Sequence, residues 1–250
     1  MTALLEVDEV RKSYGGVQAL RGCSMSFQDG AINGLIGPNG SGKTTLFNVI
    51  TGYERPDSGT VTLRGKNLTN ATPDKAFEAG IGRTFQLTRV FPRLTVLENV
   101  HVAAQRRGLL SQLRSWTTGS EHRQATEALD FVGLTRLSYE PAGNLSYGQQ
   151  KLLEFASIIV AQPKMMLLDE PAGGVNPTLL KHLAGRIREL NAEGVTFIIV
   201  EHDMEFVMGL CDQVAVMHNG SALTAGAPGD VRANPAVLEA YLGSDLDEED

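Results

Sequence analysis

Cysteine is scarce in this 250-residue chain: Cys23 and Cys211 are its only two, in no metal-ligand spacing. That excludes a disulfide framework and a thiolate metal centre, and leaves two small buried hydrophobes in a reducing compartment. Long apolar runs are missing too; none approaches the roughly eighteen residues a membrane-spanning helix needs. The N-terminus, M-T-A-L-L-E-V-D-E-V, carries acids where a secretory leader carries bases and an apolar core. The expectation is a cytosolic chain that meets a membrane only through a partner. Cations are in deficit, with 22 Lys and Arg against 29 Asp and Glu and a formal charge of −7. A sequence-independent grip on nucleic acid needs the opposite balance. Part of the deficit is local: Asp245-Leu246-Asp247-Glu248-Glu249-Asp250 reads as a solvated, mobile tail.

What is present is an ordinary globular composition, 42% hydrophobic and 20% charged, long enough to bury a core. The first sixty residues read as short strands, around Leu4, Val7 and Val10, around Met25 and Phe27, over 32–36 and over 59–63. A helix is expected over 44–50, ended by Thr51-Gly52. From about residue 97 to 133 the pattern turns helical around a polar patch, 106–120, for which no physical role is read. A further helix spans 146–161. Then 165–168 and 196–200 are apolar strands of the parallel, doubly buried type, separated by a helix over 177–190. Asn219-Gly220 joins a closing hairpin of 213–217 and 222–225. With no repeats and no long linkers, the order describes an α/β core interrupted by a helical insertion.

Three motifs carry chemistry. Gly37-Pro38-Asn39-Gly40-Ser41-Gly42-Lys43-Thr44, followed by Thr45, fits a phosphate-binding loop between a strand and a helix. Its glycines let backbone N–H groups turn onto phosphate oxygens, Lys43 adds a point charge, and the Thr44 hydroxyl suits Mg²⁺. The apolar run 165–168 ends in Asp169-Glu170. Asp169 is placed to reach the metal above the loop. Glu170, expected to point elsewhere by strand alternation, is placed to polarise a water aimed at the γ-phosphate. Asn144-Leu145-Ser146-Tyr147-Gly148-Gln149-Gln150 opens a helix with a second anion-binding device, one that a single phosphate site does not need.

These motifs, in this order, resemble the ATP-binding-cassette (ABC) family, and the resemblance covers nearly the whole chain. It implies a P-loop NTPase core of mainly parallel sheet, an antiparallel β subdomain and an inserted α-helical subdomain over about 90–162. The cassette would span 1–243, with 244–250 as its tail. It implies ATP and Mg²⁺ as ligands, and Thr44, Asp169 and Gln86 at the metal. Tyr14 would stack on adenine, Gln86 sense the attacking water and partner, and His202 contact the γ-phosphate beside the base Glu170. Ser146, Gly148 and Gln149 would close over the nucleotide of a second, facing ATPase subunit. His101, His122, His182 and His218 lack such settings and read as structural. Two departures stand out: Tyr147 where glycine is commonest, and Asn176 where many members carry aspartate.

T-F-Q-L-T-R-V-F-P-R-L-T-V-L-E-N-V, L-S-Y-G-Q-Q, E-P-A-G-G-V-N-P and E-H-D-M-E-F-V-M-G-L-C-D are similar to ATPase subunits of branched-chain amino acid importers. That implies permease subunits docking between Gln86 and Val96, and a periplasmic solute-binding protein as an indirect partner. There Phe85, Val90, Phe91 and Leu94 would floor a groove rimmed by Arg83, Arg89 and Arg93. Urea or short-amide importers and the lipopolysaccharide-extracting exporter share much of the pattern. A soluble cassette ATPase acting on nucleic acid or ribosomes lacks support, because there is no second cassette, coiled-coil insertion or basic face. A P-loop kinase or GTPase has no use for residues 145–149, and no N-K-x-D segment is present.

Overall fold

The computed structural model describes residues 3–85, 88–104 and 119–245. Gln86, most of the polar patch and the last five residues of the acidic tail therefore lie outside the described residues.

Two sheets form. Strands β1 (Ala3–Tyr14), β2 (Val17–Gln28), β4 (Ser58–Leu63) and β5 (Lys66–Asn67) make an antiparallel sheet in the order β2-β1-β4-β5. The second sheet contains β3 (Ile32–Ile36), β6 (Ile81–Arg83), β7 (Met165–Asp169), β8 (Thr196–Val200), β9 (Gln213–His218) and β10 (Ser221–Gly226). Its order is β10-β9-β3-β8-β7-β6, parallel throughout except for β10. The turn into β10 uses Asn219 and Gly220, both at positive φ, as the hairpin signal required.

Strand alternation divides the core in two. Ile36, Met166, Leu168, Phe197, Ile199, Val214 and Val216 face one side, and Leu35, Met165, Leu167, Ile198, Val200, Ala215 and Met217 face the other. The first side is covered by α3 (Val96–Ala104), α4 (Gly119–Phe131), α5 (Tyr147–Ile159), α6 (Pro177–Ala192), α7 (Met204–Leu210), α8 (Pro228–Arg232) and α9 (Pro235–Asp245). The second is covered by α1 (Lys43–Ile50), α2 (Pro73–Glu78) and the antiparallel sheet. The central sheet, buried on both faces, thus separates α1 from α5.

Sequence reasoning missed α2, β5 and α7 to α9. Several are too short for a periodic signal, yet they carried start signals: Pro73 and Pro228 in the first turn, and Asp203, whose carboxylate accepts the Phe206 N–H. Both cysteines are free and buried, as expected, and burial pushes their thiols up to about 11 and about 12.

Candidate active site

The loop after β3 folds as its glycines dictate. Gly37, Gly40 and Gly42 have φ of 153°, 72° and 101°, and a Cβ on Gly42 would lie 2.6 Å from the Ala19 carbonyl. A Cβ on Gly37 would run into the Met217 carbonyl of β9. The loop therefore packs against the sheet edge and tolerates no side chain at either point. Gly42 caps α1 without a side-chain acceptor, and the first turn holds no acid. The helix N–H groups and positive dipole end thus face the loop, the arrangement that favours a bound anion. Lys43 Nζ donates to the Gly37 and Pro38 carbonyls at 2.7 and 2.9 Å and approaches Ser41 Oγ at 3.4 Å. Burial lowers its pKa, opposed by the nearby charges of Glu170 and Asp169. Pro38 and Ser41 are buried, whereas Asn39, Gly40 and Thr44 are exposed and Thr45 half-buried. This is a cradle of donors around one cation.

Asp169 ends β7 beside it. Its amide donates to Thr84 Oγ1 at 3.0 Å, and its carboxylate pairs with Arg83 at 3.2 Å in a contact where both side chains are nearly inaccessible. Burial raises its pKa, and Arg83 pulls the other way. Arg83 also donates to Asn48 Oδ1 at 2.7 Å and Thr51 Oγ1 at 2.9 Å, and its guanidinium lies 5.0 Å from the Phe85 ring centroid. Arg83 is therefore an inward-facing counter-ion and not the groove rim expected from the sequence. Laid beside β7, β6 turns this side chain inward to Asn48, Thr51 and Asp169.

Glu170 leaves the strand at φ 49°, in the left-handed region, with its N–H donating to the Val200 carbonyl of β8 at 2.9 Å. Its direction is set by that turn, not by the strand alternation invoked above. Non-glycine residues held there cost on the order of 1 kcal/mol or more and cluster at active sites. His202 lies two residues beyond β8, exposed, with Nδ1 3.8 Å from Glu170 Oε1. Lys43, Asp169, Glu170 and His202 thus come together at the carboxyl edge of adjacent parallel strands, the usual ligand position in such sheets. Tyr14, at the end of β1, is exposed, with Lys12 Nζ 5.3 Å from its ring centroid.

Three buried charged groups behind this edge escaped sequence reasoning. Lys151 Nζ donates to the Glu170 carbonyl at 2.5 Å, and Glu201 accepts the Ala172 N–H at 2.5 Å and the His202 N–H at 3.2 Å. Glu154 accepts the Phe85 N–H at 3.2 Å. Glu201 opens the segment E-H-D-M-E-F-V-M-G-L-C-D but had no role read for it, and Lys151 and Glu154 belong to no recognisable motif. Their only sequence signal was a charge within an apolar stretch.

The helix start expected to be a second anion-binding device forms a capping box. Ser146 caps α5: its Oγ accepts the Gln149 N–H at 3.3 Å, while the Gln149 side chain accepts the Ser146 N–H at 2.9 Å. That reciprocal box leaves the serine hydroxyl hydrogen as a donor. Gly148 lets the helix approach α6, since a Cβ there would come within 2.5 Å of Leu179 Cδ2. Asn176 caps α6 by accepting the Leu179 N–H at 3.0 Å.

A groove of about 590 Å³ lies between the sheet edge and α3 and α5, lined by Tyr53, Phe77, Arg83, Phe85, Val102 and Ile158 among others. Of the stretch expected to form it, only Arg83 and Phe85 line it among the described residues. The rest of its wall comes from α2, α3, α5 and β6 and from Thr51 and Tyr53, the last packed edge-on to Phe85 at 5.4 Å. Phe91 is exposed beyond it, its backbone pinned to Asn99 at 2.7 and 3.1 Å, and Val90 packs into the helical core.

A glycine-lined phosphate loop on a parallel sheet, with acids at the end of β7 one strand removed, defines a P-loop nucleoside-triphosphatase. Comparison with known proteins narrows the class. Residues 20–173 match the family model described as ABC transporter, and residues 223–247 match one described as branched-chain amino acid ATP-binding cassette transporter. This chain belongs to the ABC transporter family. It is 41% identical to the high-affinity branched-chain amino acid transport ATP-binding protein LivG of Salmonella typhimurium, over 96% of this chain and 98% of that protein. It is 36% identical to the corresponding protein BraF of Pseudomonas aeruginosa, with the same coverage. Its fold superposes on a nucleotide-free ATP-binding cassette from an ABC transporter with a TM-score of 0.87 at 36% identity, covering 96% of this chain and 99% of that one. A dimeric bacterial cassette matches at 0.79 and 25% identity, over 90% and 98%.

Glu154 gives the site a measurable pH signature. Burial raises its carboxyl from 4.5 to about 7, against the pull of the Phe85 and Arg89 N–H groups and of Lys151. The folded chain holds this proton more tightly than the unfolded one, so the stabilisation is full below about pH 4.5 and is lost as the pH rises through about 7. Glu154→Gln keeps an acceptor for Phe85 but does not titrate. Between those two pH values, its stability relative to the parent is expected to improve by on the order of 3 kcal/mol in urea unfolding. A pH-independent difference would contradict the assignment.

Proposed function

We propose that this chain is the ATP-hydrolysing subunit of a membrane transporter that imports branched-chain or other small amino acids. The cargo reading rests on whole-length similarity to branched-chain amino acid transport ATP-binding proteins, joined by the separate match at residues 223–247. The catalytic reading rests on one observation: Glu170 and His202 stand beside the Lys43 loop on a single sheet edge. Among the described residues no helix is long and apolar enough to cross a membrane. Work on a solute therefore passes through permease subunits at the inner face of the membrane, with a periplasmic solute-binding protein upstream.

In this reading residues 1–243 form one cassette, with 90–162 as its helical subdomain. The loop Gly37 to Lys43 and the start of α1 bind the phosphates of ATP, and Tyr14 supports the adenine. Thr44 and Asp169, with Gln86, would hold Mg²⁺; hydroxyl and carboxylate oxygens are the hard donors this ion takes, and Asp169 already sits in the field of Lys43. When bound, the ion neutralises charge on the phosphate oxygens. Glu170 accepts a proton from the attacking water, and His202 holds the terminal phosphate and the glutamate in register. Ser146, Gly148 and Gln149 lie on the opposite face of the sheet from α1, and are offered to the triphosphate of a facing ATPase subunit. ATP favours the closed pair because it supplies the anion that two donor surfaces share. The groove beside Phe85 takes a short permease helix. Its wall includes Arg83, which also pairs with Asp169, so groove and site share a residue.

Glu170→Gln is expected to bind ATP normally, to lose turnover by about a hundredfold or more, and to accumulate as a dimer on ATP in size-exclusion chromatography. A monomer with undiminished ATPase activity would remove Glu170 from the role of base. Ser146→Arg is expected to abolish hydrolysis while leaving the ATP affinity of the monomer within about twofold of the parent. Equal loss of monomer affinity would show that the serine serves its own chain's nucleotide.

A further inference from the structure

Lys151 has no place in the mechanism above, yet it is buried at the centre of the site. It lies on α5 one turn beyond Tyr147, so both side chains share one helix face. Its ammonium donates to the Glu170 carbonyl at 2.5 Å, and a Cβ on Gly173 would lie 3.6 Å from the same nitrogen. The Tyr147 ring centroid is 5.3 Å from that nitrogen, and the ring lies against Gly174, whose added Cβ would be 3.0 Å from Tyr147 Cε1. From the other side, Glu201 accepts the Ala172 N–H, and the Gly173 N–H closes back on the Glu170 carbonyl at 3.2 Å. Residues 170–174, which carry the left-handed turn at Glu170, are thus gripped between the first turns of α5 and the end of β8.

We propose that Lys151 and Tyr147 are positioning residues: the helix opened by Ser146 holds the Glu170 turn in place and joins the two half-sites of one subunit. The inference rests on Glu170 being the base. The Glu170 carbonyl and side chain hang from one Cα, so a shift of the carbonyl held by Lys151 carries the root of the carboxylate side chain with it. Displacement of α5, as Ser146 engages the facing triphosphate, shifts Lys151 and with it the Glu170 carboxylate of the subunit's own pocket. Asn176, where many members carry aspartate, caps α6 by accepting the Leu179 N–H. Tyr147, the departure from glycine, supplies the contact with Gly174. An ammonium buried under a carbonyl is also a plain structural device, so the test must separate position from stability.

The test uses the purified chain with Mg-ATP and compares Lys151→Met, Lys151→Arg and Tyr147→Gly with Glu170→Gln. Lys151→Met is expected to lower kcat by about 10- to 100-fold, with KM for ATP within about twofold of the parent and an unchanged melting temperature. Lys151→Arg, which keeps a donor, is expected to recover most of the loss. Hydrogen exchange at the Ala172 to Gly174 amides of the nucleotide-free Lys151→Met chain is expected to rise about tenfold. Turnover of Lys151→Met within about threefold of the parent, or a loss that tracks melting temperature and that arginine does not rescue, overturns the proposal. If Lys151→Met fails to fold, the exposed Tyr147 decides: Tyr147→Gly is expected to lower kcat by about fivefold at constant KM, and an unchanged kcat overturns it. Should Glu170→Gln keep its turnover, the base assignment fails whatever Lys151 does. Should Glu170→Gln be inactive and Lys151→Met active, only the positioning claim fails.

Discussion

The register of three parallel strands is the constraint on which the site depends. β3 pairs with β8 through Leu35 and Val200, and β8 pairs with β7 through Val200 and Asp169. This brings three strand ends level, so that the phosphate loop, the acids 169 and 170 and His202 emerge at one edge. Slipping β7 by one residue would turn Asp169 to the opposite face, and a slip of β3 or β8 would likewise exchange that strand's two core faces. Such a slip is opposed by Phe197 and Ile199 on one side and Ile198 and Val200 on the other, all essentially without solvent exposure. Core packing and catalytic geometry are therefore the same restraint viewed from two directions.

A level edge of this kind concentrates charge, and the fold disperses the cost. Asp169 is neutralised by Arg83, whose Nη1 donates to Asn48 and Thr51 and whose guanidinium lies near aromatic rings. Lys43 is satisfied by loop carbonyls, Lys151 by the Glu170 carbonyl, and Glu201 by backbone N–H groups from residues 172 and 202. Each buried ion thus has a hydrogen-bonded partner, the condition under which buried charge is tolerated. Glu154 is the exception in degree: burial outweighs its partners and leaves a carboxyl that titrates near neutrality. Glu170 keeps a left-handed backbone angle, φ 49°, beside the phosphate loop.

Much of this could be read from the sequence because its signals are local. The five-residue apolar strands 32–36 and 196–200, the glycines of the phosphate loop, the Asn219-Gly220 turn and the serine opening α5 each state their structure within a few residues. What could not be read depends on distant pairing. Arg83 reads as a surface cation among apolar residues until β7 is laid beside β6 and Asp169 meets it. Lys151, Glu154 and Glu201 look like unremarkable charges until the elements carrying them pack behind the strand ends. Tyr147 and Asn176 were recognisable as departures from a motif; the Asn176 cap on Leu179 is local, but the Tyr147 contact with Gly174 follows only from how α5 packs on the loop before α6. Short elements such as α2 and α8 were overlooked because periodicity cannot speak over five or six residues, although proline marked their starts.

The proposal that the two helix starts serve different nucleotides rests on α1 and α5 lying on opposite faces of one sheet. The most direct measurement is a crystal structure of the Glu170→Gln chain with ATP and Mg²⁺. The account predicts a terminal phosphate within hydrogen-bond reach of Lys43 and His202 of one subunit and of Ser146 from the facing one. A triphosphate enclosed by a single chain, with its own Ser146 among the contacts or no second subunit over it, would contradict the account.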